Sequence, residues 1–204
     1  MMKCFFYFVI FFTSSLTSQP DLNGFESIQE KYRQNTSQYE QIRTQILASQ
    51  CYLVLKGGDS DMSEILPDLY LGSKVAAKNI LYTPRIHHVL SIQDHPTKLN
   101  MTGIYQKAII LSDSSTAPLL STFAVAFPFI ENAEGPVLVH CHRGHSRSGA
   151  MMIGFLMYTF DVPFMAAYVY VKIKRPSICP NLNFIHQLKL YERFLKLHPH
   201  TLPY

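Results

Sequence analysis

The stretch Pro136-Val137-Leu138-Val139-His140-Cys141-His142-Arg143-Gly144-His145-Ser146-Arg147-Ser148-Gly149-Ala150-Met151-Met152-Ile153 decides how this chain is read. Its apolar start predicts a buried strand, the polar residues after Cys141 a tight loop, and the apolar residues from 148 to 160 a helix. A loop passing from strand to helix aims backbone N–H groups, the positive end of a helix dipole and here the Arg147 guanidinium at one point. That point suits a phosphate dianion. A thiol at the mouth of the loop, where Cys141 stands, sits among positive charges that favour its nucleophilic anion. The same few residues thus bind an oxyanion and supply a group able to attack it.

The rest of the composition sets bounds. A chain of 204 residues, 48% hydrophobic and 16% charged, suits one domain with a full core and some extra length at one end. The formal net charge of +4 is too mild to argue for nucleic acid, whose binders cluster Lys and Arg along a face. Here the cationic density lies within the loop itself, at His142, Arg143, His145 and Arg147. Cys4, Cys51, Cys141 and Cys179 are scattered, with neither zinc-site spacing nor the density of a disulfide scaffold, so no metal is implied, and attack by a thiol on a phosphate needs no cofactor. Residues 1–19 carry one Lys, a short apolar run and then small hydroxyl residues, the layout of a signal-like or anchor-like segment. Three localisations follow from it: secretion after cleavage, a membrane tether, or the cytoplasm if the start is mis-assigned. Secretion would make Cys51 and Cys179 candidate disulfide partners.

Along the chain, residues 20–58 read as a polar amphipathic helix and linker. Ile28, Tyr32, Tyr39, Ile42 and Ile46 form a narrow stripe at helical spacing, fit either to lie across the chain's own domain or to take a partner through residues 26–50. Further strands are expected at 85–92, 106–111 and 137–139, and helices at 120–131, 148–160, 164–173 and 184–197, the last capped by Asn181. His87 and His88 are adjacent, so a strand points them to opposite faces and they are read as structural.

The string from His140 to Ser148, with its leading His, central Gly and hydroxyl after Arg, resembles the signature of the cysteine-based protein tyrosine phosphatases, most closely the dual-specificity branch. Ser63-Glu64-Ile65-Leu66-Pro67-Asp68-Leu69-Tyr70-Leu71-Gly72-Ser73 resembles that branch's opening strand pair, and residues 167–181 resemble its segment after the active site. The resemblance implies an α/β fold: a single catalytic domain over 59–198 with a central, mainly parallel twisted sheet flanked by helices, and a tail over 199–204. It implies Cys141 as nucleophile, Arg147 as the fork holding the phosphoryl oxygens, Ser148 as a hydrogen-bond donor to the sulfur, and Asp113 as general acid. His142, Arg143, Gly144, His145, Ser146 and Arg147 would cradle the substrate, a phosphoprotein carrying phosphotyrosine, phosphoserine or phosphothreonine. Asp94, which ends the Ser91-Ile92-Gln93-Asp94 segment, is the rival acid and is read as a solvated loop carboxylate. The cationic side chains at 142, 143 and 145 keep polyanionic substrates in play, phosphoinositides and RNA 5′-phosphate ends among them. A non-catalytic phosphate-binding module is the alternative from another class.

Overall fold

The computed structural model describes residues 36–49, 61–82, 86–95 and 103–203. Its strands are β1 (Met62–Leu66), β2 (Leu69–Gly72), β3 (His88–Gln93), β4 (Tyr105–Ile110) and β5 (Val137–His140). The helices are α1 (Thr36–Ala48), α2 (Lys74–Lys78), α3 (Phe123–Glu131), α4 (Arg147–Phe160), α5 (Phe164–Lys174) and α6 (Leu182–Leu197). The strands form one sheet in the order β1-β2-β5-β3-β4, with β2, β5, β3 and β4 parallel and β1 antiparallel at one edge. This is the mainly parallel α/β sheet the sequence led us to expect.

Burial explains the order. Val137-Leu138-Val139-His140 is buried at every position and lies at the centre, where helices cover both faces and a continuous apolar run is required. At the free edge, β4 leaves Tyr105 and Ile110 exposed. One face carries a small cluster of Ala76, Ala77, Ile80, Ile86, Val89 and Leu138 under α2. The main core lies on the other face, around α4. Every residue of α4 is buried, which is why its sequence is apolar all round instead of striped. The short α2 starts where the Ser73 hydroxyl accepts from the N–H groups of Val75 and Ala76, which turns the chain sharply after β2.

The described part of the N-terminal stripe turns inward. Ile42 and Ile46 are buried, and Tyr39 stacks on Phe160 with ring centroids 5.2 Å apart. Arg43 Nε donates to Phe160 O at 3.1 Å, placing a cation on the last carbonyls of α4. This corrects the idea of a partner helix where the stripe is described: Tyr39, Ile42 and Ile46 are used within the chain. Ile28 and Tyr32 lie outside the described residues, as do the segment 1–19 and Cys51. Residues 199–203, expected as a tail, fold back instead: His200 Nδ1 lies 3.0 Å from Tyr158 O, and Tyr191 Oη donates to Thr201 O. His87 is exposed, whereas His88 is half-buried and stacks on Tyr105.

Candidate active site

Parallel strands open their ligand sites at their carboxyl ends. The ends of β3, β4 and β5 are neighbours, and they deliver Asp94, Leu111 with Asp113, and Cys141 to one region. After β5 the chain turns through residues 141–146 into α4, whose first residue is Arg147.

Segments outside the loop fix its shape by holding its carbonyls. Lys74 N–H donates to His142 O, Arg175 Nε to Gly144 O, and Cys179 N–H to His145 O, at 3.1, 3.0 and 3.1 Å. In a trans peptide the C=O and the following N–H point opposite ways. Each tethered carbonyl therefore turns an amide, that of Arg143, His145 or Ser146, toward the inside of the loop. Arg175 is buried and reaches across to Ser63 Oγ as well, so β1 braces the same point. Gly144 has φ +72°, and a Cβ there would run into Gly72 O. The loop needs glycine at this position for both reasons.

Inside the loop, Cys141 Sγ accepts from Gly144 N–H and from Ser148 Oγ, both at 3.2 Å. His140 lies beneath, fully buried. Its Nδ1 is 3.2 Å from Cys141 O, an acceptor only, so Nδ1 carries the proton. Nε2 then accepts from Ser91 Oγ at 2.7 Å, and Ser91 Oγ accepts from Gln106 Nε2 at 3.2 Å. The chain of donors is complete with a neutral ring. Burial lowers the His140 pKa from 6.5 to about 4; the hydrogen bond to Cys141 O works against that shift, and the Lys74 charge adds to it.

A cavity of about 430 Å³ opens over the thiol, lined by Cys141, His142, Arg143, His145, Ser146 and Arg147 together with Asp113 and Cys179. Asp113 Oδ1 accepts from Ser146 Oγ at 2.6 Å and from Asn181 Nδ2 at 2.7 Å. Asn181 also caps α6 through Phe184 N–H, as expected, and its own N–H donates to Ser146 Oγ. The carboxylate is thus tied at once to the loop and to the last helix. Among the described residues no group of His, Cys, Asp and Glu is arranged to hold a metal ion.

The site residues expected from sequence are brought together, with two adjustments. Gly144 does not line the cavity; it is buried, and its contribution is the N–H on the sulfur. Asp94 is not a bystander, because its Oδ2 accepts from Arg147 Nη1 at 2.9 Å. Arg175, Ser91 and Gln106 also support the site, beyond the residues expected from sequence. The signal for Asp94 was its place just after a strand of the parallel sheet; for the other three no local signal exists, since their roles depend on burial.

A model of the dual specificity phosphatase catalytic domain matches residues 69–194. The chain is 38% identical over 139 residues to mouse dual specificity protein phosphatase 19, covering 66% of this chain and 63% of that protein. It is 39% identical over 136 residues to a probable dual specificity protein phosphatase of Dictyostelium discoideum, covering 65% and 63%. The matched region therefore spans a little under two thirds of these relatives' own length. In structure it resembles the human tyrosine phosphatase-like serine/threonine/tyrosine-interacting protein, with a TM-score of 0.61, 30% identity, and coverage of 66% of this chain and 97% of that one.

Proposed function

The chain belongs to the dual specificity phosphatase family, and from that premise we propose that it hydrolyses phosphate monoesters on tyrosine, serine and threonine of proteins through a cysteinyl-phosphate. The supporting observation is the sulfur of Cys141, held by Gly144 N–H and Ser148 Oγ at the base of a cavity that Arg147 and Asp113 also line.

In this reading the Cys141 thiolate attacks phosphorus as the bond to the leaving oxygen breaks, and one hard step becomes two easier ones. Charge gathering on the equatorial oxygens meets the inward amides of Arg143, His145 and Ser146 and the Arg147 fork, donors already in place before reaction. Asp113 gives its proton to the leaving oxygen and takes one from the water that attacks the cysteinyl-phosphate. Its Oδ1 is engaged by Ser146 and Asn181, which orients the carboxyl over the loop. Ser148 Oγ donates to the sulfur as it leaves in the second step.

The side chains of His142, Arg143 and His145 line the same cavity. That placement favours a second reading of the substrate, one bearing further negative charge beside the phosphate that is cleaved, as in a multiply phosphorylated peptide, a phosphoinositide or an RNA 5′ end.

Hydrolysis of an aryl phosphate by the full chain under reducing conditions, with Cys141→Ser as control, tests the catalytic reading. Turnover abolished in the control supports it. Phosphate binding without turnover in either protein would make the chain a phosphate-binding module.

A further inference from the structure

Arg147 enters the site from the first turn of α4, and among the described residues its guanidinium is anchored through Nη1 alone. Nη1 donates to Asp94 Oδ2 at 2.9 Å and to Leu111 O at 3.2 Å. Nε is buried and has no hydrogen-bond partner among the described residues. A guanidinium is a rigid plane with five N–H donors, so two anchors on Nη1 fix both its rotation and its tilt. The edge carrying Nε and Nη2 is left for a ligand, and a side-on fork of that kind matches two oxygens of one phosphoryl group.

The anchors come from the ends of two different strands. Leu111 follows β4 and offers a backbone carbonyl, a single acceptor that holds Nη1 without defining the plane. Asp94 follows β3, lies on the sheet between the strands that deliver Leu111 and Cys141, and adds the second direction. Its carboxylate is the only acidic partner of Arg147 among the described residues. Half of its surface is open to solvent, so Coulomb attraction alone is weak there; the geometry of two anchors on one nitrogen carries more weight than the charge.

We propose that Asp94 is a positioning residue: it holds the Arg147 guanidinium so that the Nε–Nη2 edge meets the phosphoryl oxygens in the transition state. This rests on the phosphatase reading above. The opposite role would place the same carboxylate as a competitor that the substrate's phosphate must displace from Arg147, and the two roles differ in sign. A positioning carboxylate strengthens oxyanion binding, whereas a competing one weakens it.

The test uses the full chain with Asp94→Ala and Asp94→Asn. Inorganic phosphate and tungstate affinities are measured by calorimetry, kcat and KM on an aryl phosphate, and thermal stability by circular dichroism. Positioning predicts that Asp94→Ala lowers kcat by about 10- to 100-fold with a smaller change in KM, since the fork matters most in the transition state. Tungstate binding weakens in parallel, Asp94→Asn falls between because its oxygen still accepts, and the melting temperature is unchanged. In an Arg147→Ala background, Asp94→Ala should cost nothing further, which a merely structural role would not produce. Tighter tungstate binding by Asp94→Ala, or an undiminished kcat, overturns the proposal. If the unaltered chain shows no turnover, the phosphatase reading fails separately, and the oxyanion affinities still decide what Asp94 does.

Discussion

Acidification should destabilise this protein through one buried ring. His140 is neutral in the fold, with its pKa lowered from 6.5 to about 4. The unfolded chain takes up a proton as pH falls through about 6.5, and the folded chain resists until about 4. Stability is therefore fully present above about pH 6.5, declines between 6.5 and 4, and levels off below. At roughly 1.4 kcal/mol for each tenfold in proton affinity, the interval is worth about 3 kcal/mol. The cause is burial, which denies a charged ring its solvation, and the hydrogen bonds agree with a neutral ring: a proton on Nε2 would leave the Ser91 hydroxyl hydrogen without its acceptor, inside a site already served by Gln106. Urea unfolding followed by circular dichroism at several pH values, for the protein and for His140→Asn, isolates the effect, because all other titrating groups are common to both. The variant should be less stable at pH 7.5, yet lose about 3 kcal/mol less between pH 6.5 and 4. Parallel stability profiles for the two proteins would refute the reasoning, since the pH dependence would then arise elsewhere.

Two further outcomes bear on the loop and on the acid. Gly144→Ala must either leave φ +72° or push against Gly72 O, both backbone constraints, so phosphate affinity should collapse and stability fall by about 1–3 kcal/mol, read by calorimetry and thermal melting. Asp113→Asn should slow hydrolysis of alkyl phosphates by about 10²–10⁴-fold, and far less for phosphates with good leaving groups. Equal losses on both kinds of substrate would remove Asp113 from the role of proton donor.

Much of the architecture was legible because local pattern and tertiary place agreed. The apolar run at 137–139 is apolar because β5 is central, and residues 148–160 are apolar because α4 is buried all round. Asp113 could be picked out because its place after a strand and before a helix matches that of the family's general-acid aspartate. Asp94 also stands just after a strand, but its contact with Arg147 could not be read, because that contact exists only through the strand order that sets β3 between β5 and β4. Arg175 was equally hidden: as a sequence feature it is one basic residue before a proline, and only burial turns it into the brace of Gly144 O. The stripe on α1 shows the converse case. Its periodicity was visible, but whether Ile42 and Ile46 met their own domain or another molecule depended on the carbonyl end of α4 and the adjoining α5 surface lying within reach.

The loop's tethered carbonyls have a consequence for transplantation. The residues from His140 to Ser148 name the chemical groups, but Lys74, Arg175 and Cys179 decide which way the amides face, and they belong to the start of α2 and the segment after α5. Grafted onto another strand and helix, the same string would keep its thiol and guanidinium and lose its aim. The short signature is thus an incomplete recipe, and the missing instructions are spread over parts of the chain that lie outside it.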